Sequence, residues 1–501
     1  MLKFRGHEFP VRLPGVLART SGARKRPSGS ESGIFSALRY RNYRLFWLGQ
    51  LVSVTGTFMQ STAQQWLVLT LDPNPLALGI VGALQFGPLL VLAPFGGAIA
   101  DRWPRRNVLV ATQVSAGLLA FILWILTATG LVALWHVFVL ALLLGIVNAV
   151  DMPTRQAFVS EMVPRKRLLN AISLNSAQFN ASRVLGPGLA GGLIALFGVP
   201  PLFVLNALSY VAVIFGLLMM HTDELVPFTH AEMGHGMARF RAIGDGMRYV
   251  LAKPRLRVTF LLVAVAGTLG FNFNVLLPLE ATQVLHQGPA IFGLLTSALG
   301  IGALLGALRL AKRGGEPTNR ILTVTSVAFG ALLASLAFTP TVALTLLALI
   351  ALGFAMSSFG ASANTRMQIS SPPELRGRVM SLYTMVFVGT TPIGNLIVGI
   401  AAAQASVGAA FLIAGVPTLA AGLLAGFLWH RQAQRAAMTE SPTSTNLPVM
   451  PPLPADAPPM TLPAEPDMVR PESRRSAPLL GRLRRVSSLI GSQRRATEVA
   501  D

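Results

Sequence analysis

Uncharged apolar runs of roughly 20 residues recur along the chain, and that is the length an α-helix needs to cross the hydrocarbon core of a bilayer. A soluble core would instead show amphipathic stripes and shorter runs. Only 12% of the 501 residues are charged and 52% are hydrophobic, against roughly 25% charged in soluble domains. So little charge cannot cover one or two water-soluble domains, and the sequence predicts an all-α integral membrane protein. Twelve transmembrane helices are expected, near 43–71, 76–100, 107–130, 134–150, 170–197, 201–220, 257–280, 291–311, 321–339, 342–362, 379–404 and 407–429. Their richness in Gly and Ala suits close helix approach in lipid.

The 41 Lys and Arg residues orient these spans: ten precede residue 45 and ten follow residue 430. Of the other 21, all but Arg183 fall at alternate connections, around 102–106, 155–167, 239–257, 309–320 and 366–378. The intervening connections, such as Asp72-Pro73-Asn74-Pro75, hold none. Positive residues stay on the cytoplasmic side, so both termini are expected inside. The net charge of +21 then reads as a topology signal, and no nucleic acid partner is expected. The first forty residues are basic and lack a continuous apolar core, so the first span itself is expected to direct insertion.

No cysteine is present, which excludes disulfides, thiolate metal sites and cysteine catalysis. No nucleotide-binding loop, metal cluster or catalytic triad is found either. The chain is therefore read as a non-enzyme without cofactor or metal. Energy for transport would come from an ion gradient or the substrate's own gradient.

An internal repeat organises the spans. "TRQAFVSEMVPRKRLLNAISLN" begins at Thr154 and "TRMQISSPPELRGRVMSLY" at Thr365; Pro164 and Pro372 stand 208 apart (372 − 164), as do Ser173 and Ser381. The simplest organisation is a basic cytoplasmic tail (1–42), two pseudo-symmetric six-helix bundles (43–220 and 257–430), a cytoplasmic linker (221–256) and a disordered Pro/Arg-rich cytoplasmic tail (431–501). Paired repeats with a site between them are a transporter architecture. Chance similarity between two basic membrane loops is the competing reading. In the linker, Phe240, Ile243, Met247 and Val250 have helical spacing, as expected of a helix on the inner leaflet. Leu479, Leu483, Val486 and Ile490 suggest a second such stripe in the tail, although a mostly unfolded basic tail is the competing reading.

The turn "GGAIADRWPRR" (96–106) places four charged residues within six positions between two apolar runs. It resembles the major facilitator superfamily signature G-x-x-x-D-R-x-G-R-R between helices 2 and 3. Gly97, Asp101, Arg102, Arg105 and Arg106 match, with Pro104 where Gly is usual. The blocks "RYRNYRLFWLGQLVSVTG" (39–56), "NAVDMPTRQAFVSEMVPR" (148–165), "NASRVLGPGLAG" (180–191) and "PPELRGRVMSLY" (372–383) look like the branch that contains the enterobactin exporter. The resemblance covers roughly residues 33–430 and implies alternating access in a bacterial inner membrane. It also implies that Asp101 meets the positive end of the helix 11 dipole near residues 377–380 in the outward-facing state. Arg105 or Arg106 would then pair with Asp151, and Gly97, Asp101, Arg102, Arg105, Arg106, Asp151 and Arg155 would form a conformational latch. On the residues alone, these arginines need only obey the positive-inside rule. Adding 208 to 101 gives Arg309, so the second half lacks this carboxylate.

Gln50, Ser53, Thr57, Gln60 and Gln64 are spaced 3, 4, 3 and 4 apart and share one helix face. They read as a substrate-cavity wall or as helix–helix hydrogen bonding. Asn175, Gln178 and Arg183 form a second polar group in span 5. A central charge costs on the order of 3 kcal/mol, so Arg183 is expected to face the interior, holding an anionic substrate group or pairing within the bundle. Asn272 is either a further cavity residue or packed between phenylalanines, and Glu280 reads as a solvated interfacial carboxylate. Asp151, Arg155 and Glu161 cluster at the end of span 4, where ion pairing and proton relay both fit. "GPGLAG" resembles the superfamily's helix-5 exporter motif G-P-x-x-G-G, and Gly186, Pro187 and Gly191 are expected to pack against Gly302 and Gly306. The leading functional expectation is a monomeric, proton-coupled secondary exporter of small amphipathic, siderophore- or drug-like molecules. An importer or lipid flippase, or a non-transporting membrane sensor or scaffold, is the alternative.

Overall fold

Helix boundaries follow local chemistry. Asn74 caps one helix by accepting from the Leu76 amide, with Pro75 at its first position, where a missing N–H costs nothing. Thr318 and Thr341 cap two others in the same way. Gly198 ends a helix at φ 77°, a left-handed conformation that favours glycine. The computed structural model describes residues 35–225, 236–313 and 315–439. The tail stripe at residues 479–490 lies outside them.

In chain order the α-helices are α1 (Arg41–Leu71), α2 (Pro75–Arg102), α3 (Arg105–Ala128), α4 (Leu134–Met162), α5 (Leu168–Phe197), α6 (Pro200–Leu218), α7 (Gly236–Ala252) and α8 (Pro254–Val265). They continue as α9 (Phe273–Leu279), α10 (Pro289–Arg313), α11 (Asn319–Ser335), α12 (Val342–Ile369), α13 (Pro373–Phe387), α14 (Thr391–Gln404) and α15 (Val407–Thr439). Among the described residues there is no strand. Among the described residues, ten helical stretches are long and apolar enough to cross a membrane, with α8–α9 and α13–α14 each forming one stretch. The helices α1 and α5 have 31 and 30 residues, roughly 45 Å each at the rise of an α-helix. Their polar residues keep them out of that set. Leu118, Leu208, Leu347 and Leu424 are more than half exposed, as befits a surface wetted by lipid.

Several expected boundaries shift. The helix α4 continues past residue 150 to Met162, and α12 continues past 362 to Ile369. The apolar run ends there, but the helices run on until Pro164 and Pro372, α4 carrying Pro153 within it. Two spans are interrupted. The first contains π-helical turns at Ala266–Gly270 and Glu280–Val284 around a break at Asn272. The second breaks between α13 and α14. The interruptions meet: a Cβ on Gly267 would lie 3.0 Å from the Val386 carbonyl, and one on Gly394 would strike the Thr268 carbonyl.

Packing runs in two sets. One joins α1 to α5 and α6, α2 to α4, and α3 to α4 and α6; the other joins α10 and α11 to α12, and α11 and α14 to α15. Between the sets, α5 lies on α10 and α2 lies on α14. Glycine permits both approaches. A Cβ on Gly191 would lie 2.9 Å from the Gly293 Cα, and one on Gly399 would lie 3.1 Å from the Gly79 Cα. The sequence names the right helix for α5 but the wrong glycines. Gly302 and Gly306 face the Ile350 and Phe354 carbonyls of α12. At about 100° per residue, Gly293 and Gly300 share one face of α10 and Gly302 lies well round from it.

The linker helix α7 also departs from expectation. Arg378 of α13 donates to Asp245 at 3.1 Å, and Val250 is fully buried. This part of the helix therefore packs on protein and not on the leaflet. The side chains of Phe240 and Ile243 lie outside the described residues.

Candidate functional site

The buried polar network in the C-terminal half of α4 starts from an i,i+4 pair. Asp151 and Arg155 sit one turn apart on α4, so the guanidinium reaches back over the carboxylate. Arg155 Nε donates to Asp151 Oδ2 at 2.9 Å. The other oxygen accepts from Thr112 Oγ1 and Gln113 Nε2 of α3, each at 2.8 Å. Arg155 Nη1 also donates to Gln50 Oε1 of α1. Asp151 is 3% exposed. Three helices are thus tied through one carboxylate that is fully satisfied, as a buried charge requires.

The α2–α3 turn lies beside this network. The expected pairing of Arg105 or Arg106 with Asp151 does not occur. Arg105 Nη1 binds Glu161 Oε1 at 2.6 Å. Arg106 donates to the Leu217 and Leu218 carbonyls at 2.7 and 3.1 Å, at the end of α6, where the helix dipole attracts a cation. The reason is the length of α4: its extra turns carry Glu161 to Arg105, while Arg155 already occupies Asp151. Arg102 is exposed. Gly97 and Asp101 stand on the last turns of α2; the surroundings of Gly97 and the side chain of Asp101 lie outside the described residues. At the start of α13, a Cβ on Gly377 would meet nothing within 4 Å, and Arg376 and Arg378 beside it are exposed.

The polar face of α1 divides its work. Gln50 holds Arg155, and Gln60 accepts from Asn206 Nδ2 of α6 at 2.7 Å. Ser53 is buried and Thr57 is exposed; Thr57 Oγ1 also donates to the Ser53 carbonyl at 2.9 Å. Gln64 lines a small void with Ser61, Gln85 and Asn274. Thr57 Oγ1 also lies 3.4 Å from the Tyr210 hydroxyl of α6, so three of the five residues serve helix–helix hydrogen bonds, the blander of the two sequence readings. On α5, Asn175 accepts from Tyr43 at 2.9 Å and Gln178 is buried. Arg183 is half-buried, and among the described residues no carboxylate pairs with it. In the "GPGLAG" segment, Gly186 faces Phe58 and Thr55 of α1, while the Pro187 carbonyl and Gly191 face Gly293 of α10.

Asn272 is fully buried and donates to the Thr268 and Leu269 carbonyls at 2.8 and 2.9 Å. It seals the break in its own span and does not line an open cavity. Glu280 is a larger correction. It is fully buried, not solvated at the interface, with one oxygen 3.4 Å from Thr339 Oγ1 and the other without a partner. The π-turn that begins at Glu280 alters the helix phase there, which hydropathy does not encode. Asn206 and Asn395 are buried polar residues that the sequence reading passed over. Each is a lone amide in an otherwise apolar run, a signal that was available. Among the described residues no cluster of side chains could hold a metal.

A family model described as transmembrane secretion effector matches residues 32–465. The chain is 28% identical over 385 residues to the multidrug efflux pump Tap of Mycolicibacterium fortuitum, covering 75% of this chain and 93% of that protein. It is 25% identical over 383 residues to the staphyloferrin A transporter of Staphylococcus aureus, with the same coverages. A bacterial homologue of the iron transporter ferroportin in an inward-facing state superposes with a TM-score of 0.59 at 19% identity, covering 79% of this chain and 99% of that one. A POT family transporter superposes at 0.64 with 11% identity, covering 78% and 96%. Fold and family agree: the chain belongs to the transmembrane secretion effector family of the major facilitator superfamily and is a secondary transporter of the alternating-access fold, not an enzyme.

Proposed function

We propose that the protein is a proton-coupled exporter of small amphipathic, siderophore- or drug-like molecules, working as a monomer in a bacterial inner membrane. Adding α1 and α5 to the ten apolar stretches gives twelve spans (10 + 2), in two six-helix bundles at 43–220 and 257–430 joined by 221–256. Both termini are cytoplasmic. The observation that carries this reading is the pair of glycine seams, α5 on α10 and α2 on α14. Each seam brings backbones into contact at glycines, a smooth surface on which one bundle can rock on the other. The seams and the hydrogen bond from Gln283 to the Pro73 carbonyl lie toward the outer side of that topology, whereas Gly377 at the inner end of α13 is open. This arrangement fits an inward-facing state. Direction and substrate class follow the resemblance to enterobactin-exporter-like proteins and the names of the two similar transporters.

Proton coupling is assigned to Glu280. It is a buried carboxylate that no cation neutralises among the described residues, so it can take and release a proton without breaking an ion pair. Asp151 lacks that freedom because Arg155 holds it. The test is flux of ethidium and of enterobactin into proteoliposomes with an acid lumen. Uptake that collapses with a protonophore, and that loses its pH dependence in Glu280→Gln, is the expected result. Protein-free liposome rates for both probes would reject transport of this substrate class. Undiminished pH dependence in Glu280→Gln would reject this proton site alone.

A further inference from the structure

The helices α10 and α11 both lie on α12, and together the three helices enclose a cavity of about 410 Å³, within the range of ligand pockets. Its wall includes Arg309, Arg320, Thr325, Phe354, Ser358 and Ser362 and, among the described residues, contains no Asp or Glu. Both arginines are exposed, and neither meets a carboxylate among the described residues. Arg309 is held with its guanidinium 5.7 Å from the Phe354 ring centroid, a cation–π placement that fixes the side chain but leaves its charge unneutralised. On the floor, Ser362 is 0% exposed and its hydroxyl has no hydrogen-bond partner. A buried hydroxyl is rarely left unpaired. One turn farther along α12, Arg366 is buried and bonded to Asn319 and to the Pro317 carbonyl, and its charge is met by the Glu316 carboxylate of the α10–α11 turn, so the charge on offer is that of Arg309 and Arg320.

Two guanidinium groups and an unpartnered hydroxyl without any acid suit a phosphate, which arginine binds through charge-assisted hydrogen bonds. The rest of the wall selects among phosphates. Leu310, Ile321 and Val324 complete it, Val324 is 57% exposed, and Leu305 and Leu308 on the neighbouring turns of α10 are about half exposed. A free inorganic ion has no use for that apolar surface, whereas acyl chains do. Basic pockets between spans at the cytoplasmic side are the type of site that takes anionic headgroups. We propose that this cavity binds the phosphate headgroup of an anionic phospholipid of the phosphatidylglycerol class. Assignment to the inner leaflet rests on the topology proposed above; binding itself does not, and no transported substrate enters the test.

The test uses the purified full-length protein in micelles with fluorescent short-chain phosphatidylglycerol and phosphatidylcholine as probes. Phosphatidylglycerol should bind about tenfold more tightly than phosphatidylcholine, and Arg309→Gln/Arg320→Gln should lose about that factor. Ser362→Ala should weaken binding about threefold, on the scale of one hydrogen bond, while Arg431→Gln, a basic change outside the cavity, should leave it unaltered. If the double variant does not fold, Arg320→Gln alone must show a severalfold loss. Equal binding of the two lipids, or unchanged phosphatidylglycerol binding by the cavity variants, would overturn the proposal. Displacement of the lipid probe by millimolar inorganic phosphate would also overturn it, by making the site one for the free ion.

Discussion

The α2–α3 turn and the α10–α11 turn occupy matching places in the order of helices, yet they treat their arginines in opposite ways. At the first, Arg105 has Glu161 and Arg106 has the carbonyls that end α6. At the second, Arg309 lies over an aromatic ring and Arg320 is exposed without a carboxylate. On the proposed topology the positive-inside rule accounts for both turns being basic; it does not say where the charges go. That depends on what the third helix of each set presents. The helix α4 brings Asp151 and Glu161, whereas α12 brings Ser358, Ser362 and Arg366. One turn has its own arginines braced within the protein; the other is held to α12 by Arg366, which leaves Arg309 and Arg320 with charge to offer a ligand.

The largest expected effect breaks the braced side. Asp151→Ala leaves Arg155 partly buried beside Gln50 with no counter-charge, and losing one partner of a buried pair costs about 3–5 kcal/mol. The thermal midpoint of the purified protein should fall sharply, with low yield. An unchanged midpoint would mean that the network does not hold α1, α3 and α4 together. A smaller effect sharpens the contrast between the turns. Arg105→Gln removes a pair whose side chains are 19% and 10% exposed and should cost about 1 kcal/mol after solvent screening. Arg309→Gln removes no ion pair and should stay within about 0.5 kcal/mol. Equal losses in the same melting experiment would erase the distinction.

Much of this was legible in sequence because it depends on spacing within one helix. Asp151 and Arg155 at i,i+4 could be read as a pair, as could the polar face of α1 and the small-residue face of α5. Partners on other helices were not legible. The resemblance offers Arg105 or Arg106 to Asp151, but it does not show that Arg155 already holds that carboxylate or that Glu161, farther along α4, meets Arg105. Gly302 and Gly306 were chosen for α5 because spacing shows that a face is smooth but not which neighbour it meets. Glu280 was placed in water because a carboxylate near a span end is usually solvated, and nothing in the residue pattern announces a π-turn.

The α2–α3 turn as the switch between states is tested most directly by flux in proteoliposomes at equal protein content, comparing two isosteric losses of a carboxylate. Asp101→Asn alters the first turn, and Glu316→Gln alters the second, where Glu316 is exposed. If the Asp101 charge stabilises one state through α13, its loss shifts the equilibrium between states. The rate should then fall about tenfold, the factor that corresponds to 1.4 kcal/mol, while Glu316→Gln stays near the wild-type rate. Wild-type flux in Asp101→Asn, or an equal fall in both variants, would contradict the assignment of the switch to this turn.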